Sequence, residues 1–160
     1  MKRTSMDNAP CPVARSLDAI GDWWSLLIIR DALDGLCRFG EFQKSLGISK
    51  GILTARLKSL VSLGILEMMP VTDEGGYQEY VLTRKGRDLF LVVVSLRQWG
   101  EGYCFDKSEK HSILIDTHTG RPVERLVLRS RSGRALDQSA THVQKAIEGR
   151  PRPNLGRHLR

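Results

Sequence analysis

The segment from Gly47 to Leu60, GISKGILTARLKSL, carries side chains whose spacing suits contact with a nucleic acid. Ser49 is a good N-cap, so a helix is predicted to begin there. One face of this helix is apolar, formed by Leu53, Leu57 and Leu60. The opposite face carries polar or basic side chains, Lys50, Thr54 and Lys58. Such groups hydrogen-bond base edges and phosphates, although an ordinary amphipathic surface helix shows the same pattern.

Three more positions near this helix are predicted to contact DNA. Ser49 has a hydroxyl and a backbone amide that suit a phosphate at the helix start. Arg56 lies at the flank of the polar face, within reach of a phosphate or a base. Arg38 begins the preceding helix, and we expect it to bind phosphate whatever the base sequence. The predicted partner is therefore double-stranded DNA.

No set of residues typical of catalysis accompanies this segment. The sequence has no HExxH motif, no glycine-rich phosphate loop after a strand, and no nucleophile paired with a base. The four histidines show no metal-ligand spacing with cysteine or carboxylate: His111, His118, His142 and His158. The sequence therefore predicts a binding protein rather than an enzyme, with no cofactor and no metal.

Five helices and one hairpin are predicted to position these residues. Apolar residues recur at helical spacing in Pro12–Ile20, Trp23–Leu33, Arg38–Leu46, the helix after Ser49, and Arg84–Gly100. Two β-compatible stretches, Ile65–Val71 and Tyr77–Thr83, flank a turn-rich loop. A short helix, a glycine turn and a second helix form a helix-turn-helix signal, and the hairpin after it predicts a wing. The fold class is α+β.

Two of these helices hold more apolar residues than one core-facing stripe needs. Trp23–Leu33 is apolar almost all round, which places it in the core. Trp23 and Trp24 are accordingly interpreted as core residues rather than the wall of a ligand pocket. The surplus between Leu89 and Trp99 in the last helix predicts a second buried surface, which a homodimer would supply.

Four stretches of the chain, in order, resemble the HxlR family of MarR-like winged helix-turn-helix regulators. They are CPVARSLDAIGDWWSLLIIRDALDG, RFGEF, GISKGILTARLKSLVSLGILE and YVLTRKGRDL, within Cys11 to Gly100. The resemblance implies a transcriptional regulator, repressing or activating a nearby gene, that dimerises through its first and last helices on palindromic operators. It also makes Cys11 a redox-sensing candidate, because several such regulators sense oxidants or electrophiles at this Cys-Pro position. A small packed residue at a dimer seam is the alternative for Cys11.

Two features depart from the family pattern. Gly51, among the candidate DNA contacts, lies where relatives carry a larger and often basic residue, so one contact is expected to be missing. The loop Asp73–Gly76 is acidic, so the wing is expected to avoid the minor groove or touch it through backbone alone.

Cys37 and Cys104 lack any supporting pattern and are predicted to be packed thiols.

The chain is predicted to divide near residue 105. Residues 8–105 form the winged domain with its long C-terminal dimerisation helix, residues 106–146 a small β-hairpin extension, and residues 147–160 a disordered basic tail. Residues 106–160 hold twelve Lys and Arg against six Asp and Glu, whereas the rest of the chain is nearly neutral. That excess suits a polyanion, and a solvated tail without a partner is the alternative.

Some HxlR-type proteins end in an extension that resembles a zinc ribbon. The ligand positions fall here on Thr119, Arg129 and Ser132, none of which replaces a thiolate. We therefore expect a metal-free hairpin, held by strand pairing and by Leu126 and Leu128 packed on the winged domain or on a partner subunit. Its arginines extend the DNA-facing surface or are merely solvated: Arg121, Arg125, Arg129, Arg131 and Arg134.

Bulk features narrow the class further. The sequence has no long apolar run and no apolar segment after its polar start, so neither a membrane span nor a secretory signal is predicted. Three widely spaced cysteines favour a reducing cytoplasm. The rival interpretation is a protein–protein adaptor with a winged-helix fold, which would not need the polar face at Lys50, Thr54 and Lys58.

Overall fold

The computed structural model describes residues 5–70 and 77–145. Its helices are α1 (Pro12–Ile20), α2 (Trp23–Leu33), α3 (Phe39–Leu46), α4 (Lys50–Ser62), α5 (Arg84–Arg87) and α6 (Phe90–Tyr103). Its strands are β1 (Leu66–Pro70) and β2 (Gln78–Leu82), which pair antiparallel between α4 and α5. The predicted α+β winged helix-turn-helix fold is confirmed.

Local capping explains where the first four helices begin and end. Pro12 opens α1, and the Asp22 side chain caps α2 by accepting a hydrogen bond from the Ser25 amide. Gly47, with φ of 61°, ends α3 in the left-handed conformation that favours glycine. Ser49 then caps α4, as predicted. The turn between α3 and α4 is therefore fixed by the chain's own local chemistry.

The core lies between α2, α3, α4 and the start of β1. Its largest fully buried side chains are Ile28, Ile29, Phe42, Leu53, Leu57, Leu60, Ile65 and Leu66. The three leucines predicted for the inner face of α4 are all in this set. Burying them fixes the rotation of α4, and thereby determines which of its side chains face outward.

The hairpin is confirmed, with Leu66 opposite Leu82 and Met68 opposite Tyr80. The Tyr80 amide also donates to the Cys37 carbonyl at 2.8 Å, so the chain entering α3 lies along β2. The loop Asp73–Gly76, for which an acidic wing tip was predicted, lies outside the described residues.

The predicted long helix from Arg84 is present and extends to Tyr103, but a turn at Asp88 and Leu89 divides it into α5 and α6. The Thr83 side chain caps α5 by accepting from the Gly86 amide at 3.1 Å. A side chain at Gly86 would collide with the Ile65 carbonyl, so α5 packs directly on the hairpin. The Leu89 amide then bonds the Gly86 carbonyl in a tighter turn, and α6 starts afresh at Phe90.

Two residues predicted to be packed are exposed. The Trp23 side chain is 69% exposed, although Trp24 packs partly against the core. The buried face of α2 includes Ser25, Ile28 and Ile29, and a residue two positions before Ser25 lies on the other side of the helix. Cys104, predicted to be a packed thiol, is exposed at the C-cap of α6.

The chain after α6 belongs to two compact units, Met1–Arg125 and Leu126–Arg160, so the division lies within the predicted extension. Each unit contains one tight turn closed by an isolated antiparallel bridge, Ile115 with Pro122 and Arg129 with Ala135. These bridges replace the strands expected at 113–115 and 123–128. No residue from 106 to 145 is buried, and Leu126 and Leu128 are both exposed. The predicted disordered tail, 147–160, lies outside the described residues.

Candidate nucleic-acid interface

The outward face of α4 carries the side chains that the sequence marks for DNA contact. Lys50, Thr54 and Lys58 are all exposed and lie one helical turn apart, so they form one row along α4. Two ammonium groups and a hydroxyl therefore line one edge of the helix that follows the turn. This arrangement presents donors to an acidic, acceptor-rich surface such as a DNA groove.

The N-terminus of α4 adds a backbone contribution. The Ser49 hydroxyl accepts from the Ile52 amide at 3.4 Å, and Ser49 itself is exposed. A Cβ at Gly51 would meet nothing within 4 Å, so the glycine leaves an open surface rather than relieving a collision. The start of α4 is therefore accessible, and the surface at Gly51 has room for a side chain that the glycine does not supply.

The structure pairs Arg56 with Asp22 instead of leaving it on the outward face. Its Nε lies 2.9 Å from Asp22 Oδ1, as an ion pair without the alignment of a hydrogen bond. The same carboxylate oxygen accepts from the Ser25 amide at 3.1 Å. Asp22 thus caps α2 and pairs with Arg56 of α4, whose side chain remains 38% exposed.

Arg38 connects the start of α3 to the wing. Its Nε donates to Glu79 Oε1 of β2 at 3.1 Å, and its side chain remains 55% exposed. The hydrogen bond to the Glu79 carboxylate, followed by their charge attraction, raises the pKa of Arg38. Arg38 is therefore accessible to a phosphate, but a phosphate must compete with Glu79.

Glu41 caps the same helix start. Its Oε2 accepts from the Arg38 amide at 2.8 Å and from the Cys37 amide at 2.9 Å. These two backbone hydrogen bonds stabilise the carboxylate and lower the pKa of Glu41. The two hydrogen bonds accepted by Glu41 fix the angle at which the chain enters α3.

The cysteines occupy three different environments. Cys11 is exposed at the N-cap of α1. Cys37 is half-buried, and its pKa is raised first by burial and then by the negative charge of Glu79. A raised pKa disfavours the reactive thiolate, which is consistent with the packed thiol predicted for Cys37. Cys11, at a helix N-terminus, and Cys104, at a helix C-terminus, are both exposed to solvent.

An apolar surface remains uncovered on α1 and α6. Its exposed members on these helices are Val13, Leu17, Phe90, Leu91, Val92, Leu96, Trp99 and Tyr103. The rings of Trp99 and Tyr103 lie 5.5 Å apart, one turn from each other. This surface is the surplus that the sequence indicated for the last helix, extended by α1.

Sequence reasoning did not identify Asp22 and Glu79, which pair with two of the predicted DNA-contact residues. Asp22 carries an available signal, since an aspartate directly before a helical pattern is a good N-cap, but its partner Arg56 lies across the fold. Glu79 carries no local signal, because its contact with Arg38 depends on how β2 packs beside α3. None of the described helices is long and apolar enough to cross a membrane. Residues 5–70 and 77–145 contain no cluster of three potential metal ligands.

A turn between two helices, an exposed polar second helix and a following hairpin together define a winged helix-turn-helix protein. The model of the HxlR-like helix-turn-helix family matches residues 19–108. The chain belongs to that family, whose members are transcriptional regulators rather than enzymes, and it is a regulator of the helix-turn-helix type.

Individual proteins support the same assignment. The chain is 41% identical over 107 residues to the uncharacterised HTH-type transcriptional regulator MT3179 of Mycobacterium tuberculosis, across 67% of each chain. It is similar to the solved structure of PA1607, a candidate transcription factor, with 52% identity and a TM-score of 0.85 over 89% of this chain and all of that one. The oxidised form of the redox regulator HypR is 34% identical, with a TM-score of 0.54, over 57% of this chain and 96% of HypR.

Proposed function

We propose that this regulator binds specific, palindromic duplex DNA as a homodimer, with α4 as the recognition helix. The observation that carries the proposal is the exposed row of Lys50, Thr54 and Lys58 on the helix after the turn. A recognition helix inserts such side chains into the major groove, while its apolar face stays on the domain. The adaptor alternative gives this row no role.

The dimer follows from the uncovered apolar surface on α1 and α6. Large exposed apolar patches on a monomer mark interaction sites, and a two-fold axis lets the same patch cover itself. Two recognition helices related by that axis then meet successive major grooves, about 34 Å or a multiple of it apart.

Supporting contacts go to the DNA backbone. Ser49 and the free amides at the start of α4 suit a phosphate, and Gly51 lets the backbone approach it closely. Arg38 exchanges its Glu79 partner for a phosphate, because a guanidinium donates to the oxygens of either anion. This exchange positions the protein without reading sequence.

Cys11 is the proposed redox-responsive residue. Its thiol is exposed at a helix N-terminus, and this chain is similar in structure to HypR, which is named as a redox regulator. Mild oxidation is expected to change operator affinity, and Cys11→Ser to abolish that response while Cys104→Ser, also exposed, leaves it intact. Equal reactivity of Cys11 and free cysteine would instead favour a packing role.

The test of the function is selection of bound sequences from random duplex DNA, with sedimentation of the free protein in parallel. The proposal predicts enrichment of an inverted repeat and a dimer at micromolar concentration. A monomer, or binding without enrichment of any sequence, would contradict it. Weak binding to all polyanions with no DNA preference would favour the adaptor.

A further inference from the structure

The second compact unit contains a tight turn whose residues 129–134 read Arg-Ser-Arg-Ser-Gly-Arg, hereafter the basic turn. The Ser130 amide donates to the Arg134 carbonyl at 2.8 Å, and the Gly133 amide donates to the Ser130 carbonyl at 2.9 Å. Gly133 has a φ of 84°, a conformation that glycine adopts without strain. The turn is therefore closed by its own backbone, and its side chains surround a hydrogen-bonded loop.

The basic turn carries more positive charge than its own unit neutralises. From 126 to 145, four Lys or Arg residues accompany a single acidic residue, Asp137. The Asp137 carboxylate accepts from the Ser139 hydroxyl at 2.7 Å, so it is engaged in another turn. In the described part of the chain, Arg131 and Arg134 are exposed and neither is paired with a carboxylate. Three guanidinium groups within six residues repel one another, and a polyanion relieves that repulsion.

The uncharged groups of the basic turn indicate which polyanion it suits. The hydroxyls of Ser130 and Ser132 lie 2.9 Å apart, so one proton joins them and the other is left to donate elsewhere. Arginine and serine are among the residues that supply most protein contacts to DNA phosphates, and a guanidinium binds phosphate in a fork. Residues 129–134 include no apolar side chain, which an element that lies in a membrane surface requires. The chemistry therefore favours the phosphates of a nucleic acid.

We propose that the basic turn binds the phosphate backbone of duplex DNA and is a second contact element of each subunit, besides α4. Phosphate contacts carry no base information, so the turn increases affinity and salt dependence and leaves base preference to α4. A homodimer holds the turn twice, and Arg131 and Arg134 then supply four phosphate contacts. The proposal rests on the proposed function in that the partner is DNA, but the turn needs no particular base sequence.

The test replaces Arg131 and Arg134 of the full chain with glutamine and measures affinity for the selected operator and for random duplex DNA over a series of salt concentrations. The loss of four phosphate contacts per dimer is expected to reduce the slope of log affinity against log salt by about 3–4. Binding of both DNAs should weaken alike, at least about tenfold at low salt. The enriched sequence should stay the same.

Two further variants make the result specific to the basic turn. Lys107→Gln with Lys110→Gln removes the same charge from two other exposed positions, and should lower the slope by less than about one. Arg131→Lys with Arg134→Lys keeps the charge and should retain most of the slope. All these positions are exposed, so circular dichroism should show the fold of the wild type in every variant.

Three results would overturn the proposal: an unchanged salt slope in the glutamine variant of the turn, an equal loss in the lysine control, or a loss confined to vesicles that contain phosphatidylglycerol. The last result would indicate a membrane partner. An unchanged slope together with an enriched operator leaves the proposed function standing. Conversely, a slope that falls as expected on random duplex DNA, with no sequence enriched, would contradict only sequence-specific recognition.

Discussion

The winged helices and the chain after α6 are stabilised by different forces. From α2 to β1, whole side chains are withdrawn from water, with Phe42 and Leu57 fully buried. From 106 to 145 no residue is buried, and the turns are closed by polar side chains such as Asp116 and Asp137. Hydrophobic burial grows with buried apolar area, whereas exposed hydrogen bonds exchange readily with water. We therefore expect the packed core of the first region to supply most of the free energy of folding, and residues 106–145 to contribute little to it.

A core truncation should separate the two regions most strongly. Leu57→Ala removes a fully buried side chain and is expected to lower the free energy of unfolding by about 2–5 kcal/mol. Leu128→Ala, whose side chain is 64% exposed, should change it by less than about 0.5 kcal/mol. Urea denaturation measures both. A comparable loss for Leu128→Ala would show that the extension is a packing element.

The link between α2 and α4 should give a smaller effect. Asp22→Ala removes the N-cap of α2 and the partner of Arg56, and is expected to cost about 1 kcal/mol of stability. Asp34→Ala, an exposed change at the other end of α2, is the matched control. Denaturation midpoints that fall equally for both variants would contradict the capping role of Asp22.

The start of α3 should respond to acid. The pKa of Glu41 is lowered in the folded state, so its contribution is present above the ordinary glutamate pKa and is lost as pH falls through the lowered value. Glu41→Gln should reduce Tm at neutral pH and flatten its decline at acid pH. Circular dichroism measures Tm as a function of pH for this variant and for Glu67→Gln, an exposed control. An unchanged acid profile would remove Glu41 from this role.

The smallest effect is expected from metal removal. Each turn of the extension is closed by a polar contact at the ribbon's ligand positions, including Thr119 Oγ1 to Asp116 at 2.8 Å and Arg129 Nη1 to the Gly133 carbonyl at 2.9 Å. We therefore predict less than stoichiometric zinc by elemental analysis and no change of Tm with a chelator. One zinc per subunit would contradict this and would indicate His111 or His118 as a ligand.

The features predicted most accurately from the sequence are those that depend on interactions between residues close together in the chain. The bounds of α1, α3 and α4 follow from Pro12, Gly47 and Ser49, whose capping needs no distant partner. The break before α6 was missed because the apolar periodicity continues through Leu89. The close packing of Gly86 on Ile65 is a tertiary contact, which the local sequence does not indicate. The expected strands after residue 112 were missed because β-branched residues favour strands only where a neighbouring strand and a buried face are available.

The candidate site divides in the same way. The outward face of α4 could be predicted, since the buried leucines fix its rotation. The pairing of Arg56 with Asp22 could not, because it joins residues from two helices whose contact depends on the packed core. The pairing of Arg38 with Glu79 likewise depends on the placement of the wing strand.

The most direct test of the central claim compares affinities for a selected operator and for random duplex DNA of equal length. Lys50→Ala and Thr54→Ala are predicted to weaken operator binding by about 1–3 kcal/mol more than random binding, because they remove base contacts. Arg38→Ala should weaken both alike and reduce the salt dependence by about one phosphate contact. Equal losses on both DNAs for all three variants would contradict recognition through this face of α4.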